Sequence, residues 1–342
     1  MGFFNDAVKL LKKHNQYVGT YSDPDSWVDT GSYALNALIS GSIYGGIPNN
    51  KIVALAGESS TGKTYFTLGI VGQFLRDNPS AAVFYFESED AITKDMLKAR
   101  GIDPDRFISV PVVTIQEFRH QAITILDKYI ETDEQHRPPM MMCLDSLGML
   151  STTKEIEDTA EGKETKDMTR AQLIKATFRV LTLKLGKAKV PLIVTNHTYQ
   201  TMGMFSTKEQ SGGSGIKYAA DYVVFLSRKK EKEGTEVVGH IIHCRNNKSR
   251  LTKENALVDV LLRYDTGLHR YYGLTDIAIE AGIFKQISKK LELPDGQKVF
   301  AKSMMKKPEK FFTPDIMKLI DEACTEQFVY GAVVEDEEDE TL

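Results

Sequence analysis

Short apolar segments alternate with helical patterns through the middle of the chain. The apolar segments fit buried strands at 51–56, 81–86, 140–144 and 191–195. Apolar residues recur three and four positions apart elsewhere, which predicts helices at 65–76, 92–100, 115–130 and 168–187. Strands that alternate with helices are typical of a mostly parallel sheet covered on its faces, so we predict an α/β fold.

Three later apolar segments have no long helix between them. They lie at 222–226, 237–244 and 256–263 and predict an antiparallel extension of the sheet. Two long polar segments, 151–167 and 198–216, follow predicted strands, and loops of that length are usually functional or disordered. We expect both to open at the carboxyl edge of the sheet, where open α/β sheets bind ligands.

The two ends of the chain differ from this core. Residues 3–14 fit a short amphipathic helix, capped by Asn5 or Asp6, that must dock elsewhere to be stable. Residues 335–340 are all acidic, so we expect a disordered tail that either aids solubility or competes with a polyanion for basic surface. We therefore expect an N-terminal helix with a connector, a core, a small C-terminal region and a tail, at 1–25, 26–284, 285–334 and 335–342.

Composition is that of an ordinary globular protein. The chain has 342 residues, 42% hydrophobic and 26% charged, with a formal net charge of −4. No apolar stretch approaches the ~18 residues of a membrane span, and the first residues lack the features of a secretion signal. The cysteines Cys143, Cys244 and Cys324 are too far apart for a metal motif, so we expect buried free thiols in a cytoplasmic protein.

One segment matches the P-loop pattern GxxxxGK(S/T) at every fixed position. It reads Gly57-Glu58-Ser59-Ser60-Thr61-Gly62-Lys63-Thr64. Glycines let backbone N–H groups curve around phosphates, the lysine faces the β and γ phosphate oxygens, and the threonine hydroxyl suits Mg²⁺. A predicted strand precedes the segment and a predicted helix follows it, so we predict a site for a nucleoside triphosphate with Mg²⁺.

Polar residues end the other predicted strands as well. Asp145 is placed to hold the hydration shell of Mg²⁺ beside Thr64, and it also suits a cap of the next turn. Asn196 and His197 end another strand, where His197 is either a sensor of the γ-phosphate or an ordinary turn residue.

Three acids follow the strand at 81–86. Attack of water on a γ-phosphate needs a carboxylate to orient and deprotonate the water, and spacing leaves both Glu87 and Glu89 open for this role. Asp90 suits the positive N-terminus of the helix predicted to begin at Ala91.

Four basic residues, Arg245, Lys248, Arg250 and Lys253, cluster on a predicted hairpin connection. They form either a solvated turn or a contact with anions. The anions would be DNA phosphates or a nucleotide held by a neighbouring subunit.

The order of these features resembles the RecA family of homologous-recombination recombinases, and is most similar to the strand-exchange recombinases of large tailed phages, the UvsX type. The resemblance covers roughly residues 26–284 and includes the P-loop. It is carried further by the phrases at 86–92, 101–106, 144–148, 167–171, 196–199, 204–206, 212–213 and 248–250. It implies a RecA-like P-loop ATPase core, with a short N-terminal helix that docks on the adjacent subunit.

The resemblance also implies roles for individual residues. Glu89 rather than Glu87 would activate the water, His197 would sense the γ-phosphate, and Lys63 would hold the phosphates. Lys248 would reach across a filament interface to the neighbour's ATP. Around the base, Thr93 and Met96 stand where RecA has an aspartate and a tyrosine, and Tyr264 is a candidate to stack on the base.

Segments 151–167 and 198–215 would correspond to the two DNA-binding loops of the family. Phe205 would lie near the DNA backbone, with backbone N–H groups and cations on the phosphates. The residues we assign to DNA binding are Arg170, Phe205, Lys208, Gly212, Gly213 and Lys217.

The implied function is a DNA-dependent ATPase that uses ATP and Mg²⁺ to form a helical filament on single-stranded DNA. It would pair that strand with homologous duplex DNA and exchange strands, with a loading mediator and a single-strand-binding protein as partners. If the protein is phage-encoded, it would act in the bacterial host cytoplasm. The alternatives are a hexameric DNA helicase of RecA fold and a non-hydrolysing, ATP-regulated recombination mediator.

Overall fold

The apolar strands form the centre of the structure, a computed structural model that describes residues 2–12, 22–163, 169–200, 208–210 and 215–331. The strands in these residues are β1 Trp27–Val28, β2 Ile47–Pro48, β3 Ile52–Gly57, β4 Ala82–Glu87, β5 Phe107–Pro111, β6 Met140–Asp145, β7 Leu192–Gln200, β8 Lys208–Gln210, β9 Tyr222–Glu233, β10 Glu236–Lys248, β11 Leu257–Arg263, β12 Gly267–Leu268, β13 Lys285–Ile287, β14 Lys290–Glu292 and β15 Lys298–Val299.

Helices cover the strands and connect them. They are α1 Gly2–Lys12, α2 Tyr33–Ser40, α3 Lys63–Asp77, α4 Lys94–Lys98, α5 Ile115–Glu131, α6 Thr153–Ala160, α7 Arg170–Ala188, α8 Gly215–Ala219, α9 Leu274–Glu280, α10 Ala301–Lys306 and α11 Pro314–Phe328. A 3₁₀ turn at Leu147–Met149 follows β6 directly.

Ten of the described strands form one mixed sheet. Their order is β12-β11-β10-β9-β3-β7-β6-β4-β5, and β8 pairs with β7. The strands from β9 to β5 in this order run parallel, whereas β10, β11 and β12 continue the sheet antiparallel. The predicted α/β fold, with a parallel sheet and an antiparallel extension, is confirmed.

The two faces of the sheet bury two separate hydrophobic clusters. Val53 and Leu55 of β3 belong to a cluster that includes Phe66 and residues of α2, α3 and α11. Ile52 and Ala54 belong to the other cluster, with residues of α5 and α7. Successive side chains of a strand face opposite sides, and both sides are covered here, which explains why the parallel strands are almost wholly apolar.

The C-terminal region contributes to the same cluster as the P-loop helix. Ile320 and Phe328 of α11 are buried in it together with Phe66. The carboxylate of Asp321 accepts hydrogen bonds from the Ser42 hydroxyl, at 2.7 Å, and from the backbone N–H of Ile43, at 2.8 Å. The separate C-terminal region expected at 285–334 stays a prediction, but its described residues pack directly on the core.

Some helix boundaries differ from the predictions. α1 extends back to Gly2, so Asn5 and Asp6 lie inside the helix and the prediction that one of them caps it is wrong. α4 is shorter than the helix predicted at 92–100, because the Thr93 hydroxyl accepts the N–H of Met96 and so caps a helix that begins at Lys94. The backbone N–H groups of Ala91 and Ile92, just before this helix, donate to the carboxylate of Glu87 at the end of β4.

The polar segment predicted at 151–167 is partly helical. Thr152 and Glu155 form a capping box at the start of α6, in which each side chain accepts a hydrogen bond from the other residue's N–H. No residue of α6 is buried, so the helix lacks the apolar periodicity by which helices are recognised in a sequence. The Thr-x-x-Glu pattern was the one signal that marked it.

The expectation that Cys143, Cys244 and Cys324 are buried free thiols is confirmed. In the part of the chain that the structure describes, no helix has both the length and the apolarity needed to cross a bilayer.

We predict that α11 contributes to the stability of the core. Phe328→Ala should lower the free energy of unfolding by about 3–5 kcal/mol, because it removes a buried aromatic ring and leaves a cavity in its place. Leu319→Ala, on the exposed side of the same helix, should change it by less than about 0.5 kcal/mol. Urea unfolding followed by circular dichroism measures both, and a loss as small in Phe328→Ala as that expected for Leu319→Ala would show that α11 is not part of the core.

Candidate active site

The P-loop turns sharply between β3 and α3. Gly62 has a φ of +91° and Ser60 a φ of +58°, in the left-handed region that glycine adopts most readily. A Cβ at Gly57 would lie 2.8 Å from the carbonyl oxygen of Leu226 on the neighbouring strand, so glycine is required there. The turn delivers the chain to the N-terminus of α3, where free N–H groups and the helix dipole favour phosphate.

Lys63 folds back across the loop that precedes it. Its Nζ donates to the carbonyl oxygens of Gly57, at 3.0 Å, and Glu58, at 2.9 Å. Burial lowers the pKa of Lys63, and the negative charges of Asp145 and Glu89 oppose that shift. A polyphosphate would favour the charged form in the same way, so the lysine is suited to an anionic ligand.

Asp145 is buried at the end of β6, and both of its oxygens accept hydrogen bonds. The Tyr85 hydroxyl donates to one oxygen at 2.7 Å, and the Thr195 hydroxyl donates to the other. Burial, together with the charge of Asp145, raises the pKa of Tyr85 well above its ordinary value, so this hydroxyl remains a donor. Each carboxylate oxygen keeps a further lone pair for water or a metal ion.

The donor set fits a magnesium ion that is shared with a nucleotide. Lys63, Thr64 and Asp145 all line one cavity. Among the described residues, no three His, Cys, Asp or Glu side chains are grouped to hold a metal ion by themselves. Mg²⁺ usually keeps several waters and combines one or two protein oxygens with phosphate oxygens, so this sparse set is appropriate.

Hydrogen bonding separates the roles of Glu87 and Glu89. A carboxylate oxygen of Glu87 accepts the backbone N–H groups of Ala91 and Ile92, the latter at 3.0 Å, and Glu87 does not line the cavity. Glu89 lines the cavity and accepts the Ser146 hydroxyl at 3.0 Å. Glu87 therefore holds the backbone after β4, and Glu89 is the carboxylate that can reach a ligand.

His197 lies between the lysine and the glutamate. Its Nδ1 is 3.4 Å from Nζ of Lys63, and its Nε2 is 3.5 Å from Oε1 of Glu89. An ammonium group can only donate, so Nδ1 accepts and the neutral ring carries its proton on Nε2, towards the carboxylate. The imidazole thus connects the group suited to bind phosphate with the group suited to activate water.

The cavity in front of the P-loop has a volume of about 980 Å³ and continues along α3. Tyr264 lines it, as the stacking prediction requires. Thr93 caps α4, and Met96 packs against the core cluster. The α4 side of the cavity is lined instead by Ala99 and Arg100.

Sequence reasoning missed several residues of the cavity wall. The guanidinium carbon of Arg100 lies 4.3 Å from the centroid of the Tyr65 ring. Tyr65 directly follows the P-loop motif, and both residues line the cavity. Arg228 and His240 line it from β9 and β10. No motif marks these residues, because the antiparallel strands reach the P-loop only through the pairing of the sheet.

A model of the RecA N-terminal domain matches residues 7–269. The chain belongs to the RecA family.

Individual RecA-family relatives cover much of the chain. The recombination and repair protein of Enterobacteria phage T4 is 36% identical over 248 residues, which is 72% of this chain and 62% of that protein. Protein RecA of Streptomyces rimosus is 27% identical over 267 residues, or 77% of this chain and 67% of that protein. Protein RecA of Malacoplasma penetrans is 28% identical over 276 residues, which is 78% of this chain and 79% of that protein. The chain thus spans less than two thirds of the phage relative.

Two cations assigned to nucleotide or DNA binding lie outside the cavity of this RecA-family chain. Lys248 donates to the carbonyl oxygens of Lys217, at 2.8 Å, Tyr218, at 3.1 Å, and Ala220, at 2.6 Å, so it holds the C-terminal end of α8. Burial is the largest cause that lowers the pKa of Lys248. The side chain of Lys217 is exposed on the same helix.

Arg170 also has structural partners. Its guanidinium donates to the carbonyl oxygens of Leu150, at 2.9 Å, and Gly148, at 3.2 Å, in and beside the 3₁₀ turn after β6. The first turn of α7 is thereby tied to the strand that ends in Asp145. The DNA contact assigned to Arg170 stays a prediction.

The remaining DNA-binding assignments lie largely outside the described residues. Phe205, Gly212 and Gly213 are not among them. The backbone of Lys208 is described, and it begins β8, which pairs Gln200 with Lys208.

We predict that Glu89 and Glu87 differ in catalysis. Glu89→Gln should reduce ATP hydrolysis by at least about 100-fold while ATP still binds, because the amide cannot take a proton from water. Glu87→Gln should keep turnover within a few-fold, since the amide oxygen still accepts the two backbone N–H groups. Steady-state hydrolysis with a parallel nucleotide-binding assay measures both. Normal turnover by Glu89→Gln would exclude this residue as the base.

We predict that Tyr264 contributes to nucleotide affinity by stacking. Tyr264→Ala should weaken ADP binding by roughly 2- to 10-fold, which corresponds to the energy of one aromatic contact. Tyr44→Ala is the control, because this tyrosine is also exposed but is absent from the cavity lining. Isothermal titration calorimetry compares the two variants, and equal affinities would remove Tyr264 from the site.

Proposed function

We propose that the protein is a DNA-dependent ATPase that forms a helical filament on single-stranded DNA, pairs it with homologous duplex DNA and exchanges strands. ATP with Mg²⁺ would favour assembly, and hydrolysis would release the filament from DNA. Membership of the RecA family supports this class of activity. The phage relative is named a recombination and repair protein, and a recombinase is in keeping with that name.

The path of strand β7 is the observation that carries the proposal. Thr195 donates to Asp145, and two residues later His197 approaches both Lys63 and Glu89. The same strand continues to Gln200, where it pairs with β8 and enters the segment assigned to DNA binding. A shift of His197 on loss of the γ-phosphate would therefore act on that segment through continuous backbone.

The chemistry expected of this chain's residues follows from their positions. Bound ATP with Mg²⁺ would supply an electrophilic γ-phosphorus. Lys63 and the P-loop N–H groups would hold the phosphate oxygens, and Thr64 and Asp145 would hold the metal. Glu89, held by Ser146, would orient a water and accept its proton, while His197 would hydrogen-bond near the γ-phosphate.

We further propose that the site is completed by a neighbouring subunit through Lys248. In the single chain, Lys248 is not among the residues that line the cavity, and it holds the end of α8, which directly follows the segment assigned to DNA binding. A lysine there would connect the position of that segment to the nucleotide of the next subunit. Hydrolysis would then depend on assembly.

The decisive measurement is the rate of ATP hydrolysis with and without single-stranded DNA. We expect strong stimulation by DNA and ATP-dependent filaments in electron micrographs at low salt, both of which Lys63→Ala should abolish. Closed rings that unwind a forked duplex would favour a hexameric helicase instead. DNA binding that depends on ATP, without hydrolysis in the unmodified protein, would favour an ATP-regulated mediator.

A further inference from the structure

Tyr264 stands at the rim of the cavity with 64% of its surface exposed. Its backbone N–H donates to the carbonyl oxygen of Val238, at 3.1 Å, so the backbone from which the side chain extends is held in place. The hydroxyl oxygen is 3.4 Å from Nδ1 of His240, and the two rings meet edge to face with centroids 5.6 Å apart. His240 thus contacts Tyr264 twice, at the aromatic ring and at the hydroxyl group.

Arg228 determines which tautomer of His240 is present. Nη1 of Arg228 is 3.4 Å from Nε2 of His240. A guanidinium has donors only, so Nε2 must accept and the neutral imidazole carries its proton on Nδ1. Nδ1 then donates to the hydroxyl oxygen of Tyr264, whose own hydrogen remains available to another acceptor.

The sheet brings these three residues to one face. His240 of β10 is paired with Lys230 on β9 and with Leu262 on β11, and directly paired residues face the same side. Arg228 is two residues from Lys230 and Tyr264 is two residues from Leu262, so both lie on the same face as His240. Burial, and then the charges of Arg228 and Lys230, lower the pKa of His240, which favours the neutral ring.

We propose that His240 is a positioning residue that orients the ring of Tyr264 against the base of a bound nucleotide, with Arg228 holding His240 in the required tautomer. This rests on the proposed function as an ATP-binding protein and on the prediction above that Tyr264 stacks on the base. An exposed tyrosine otherwise samples several rotamers, and fixing one of them before binding lowers the entropy that the nucleotide must overcome.

The proposal is tested with a double-mutant cycle in the full chain. ADP binding is measured by calorimetry for the unmodified protein, His240→Ala, Tyr264→Ala and the double variant. His240→Ala should weaken ADP binding by about 3- to 10-fold, the scale of an aromatic contact, and should have almost no effect when Tyr264 is already alanine. Inorganic tripolyphosphate has no base, so its affinity should be the same with and without His240.

Three further variants control for structure. His240→Asn keeps an N–H donor close to the position of Nδ1, the atom that faces Tyr264, and should stay within about twofold of the unmodified protein. His240→Phe keeps a ring at this position but has no N–H donor, so it should lose ADP affinity as His240→Ala does. It replaces His240→Ala in the comparison if the alanine variant does not fold. His243→Asn lies on the opposite face of β10, where His243 pairs with Asp259 at 2.6 Å, and should leave ADP affinity unchanged.

The outcomes separate the two levels of the proposal. Additive losses in the double variant, or an equal loss of tripolyphosphate binding in His240→Ala, would overturn the positioning role while leaving Tyr264 as a stacking residue. Unchanged ADP affinity in Tyr264→Ala would instead overturn the stacking assignment, and the positioning role with it.

Discussion

Parallel pairing of β3, β4, β6 and β7 is the constraint on which the rest of this protein depends. Parallel strands present their carboxyl ends at the same edge of a sheet, and here register places Gly57 beside His197 and Glu87 beside Asp145. Residues far apart in the chain thereby form one site. Because the strands are buried on both faces, a shift of register would bury polar ends and expose apolar ones, which makes this arrangement costly to alter.

The charges at this edge are held without being neutralised by direct pairing. Asp145 accepts hydrogen bonds from the neutral hydroxyls of Tyr85 and Thr195, and Lys63 donates to the backbone carbonyls of Gly57 and Glu58. Neutral partners satisfy buried groups and still leave their charge available to a ligand. Such an edge is suited to a triphosphate and a divalent cation, which bring the complementary charges themselves.

The antiparallel extension adds what the parallel strands lack. β9 and β10 carry Arg228 and His240 to the cavity, and Tyr264 reaches it directly after the end of β11. The end of β10 carries Lys248 to α8. The C-terminal helix α11 packs against α2 and α9 within the hydrophobic cluster that also contains residues of α3. The wall of the cavity and the end of α8 are thus connected through a few neighbouring strands.

Tyr264 was identified through the resemblance to the RecA family, and its stacking role stays a prediction. The sequence by itself determined the α/β class, the P-loop and the polar residues at the ends of β4 and β6, because these follow from local periodicity and motif spacing, whereas Asn196 and His197 lie inside β7, which continues to Gln200. It could not separate Glu87 from Glu89 by spacing; the tertiary structure does so, since Glu87 is bound to backbone N–H groups and Glu89 faces Ser146 and His197.

The tertiary structure alone placed several other residues. Arg170 and Lys248 hold backbone carbonyls that the sequence does not mark, Arg100 replaces Met96 at the cavity wall, and His240 reaches Tyr264 across two strands. The physical reason is the same in each case. A side chain's partners are set by strand pairing and helix packing between distant parts of the chain, whereas spacing along the sequence specifies only which residues share a strand or a turn.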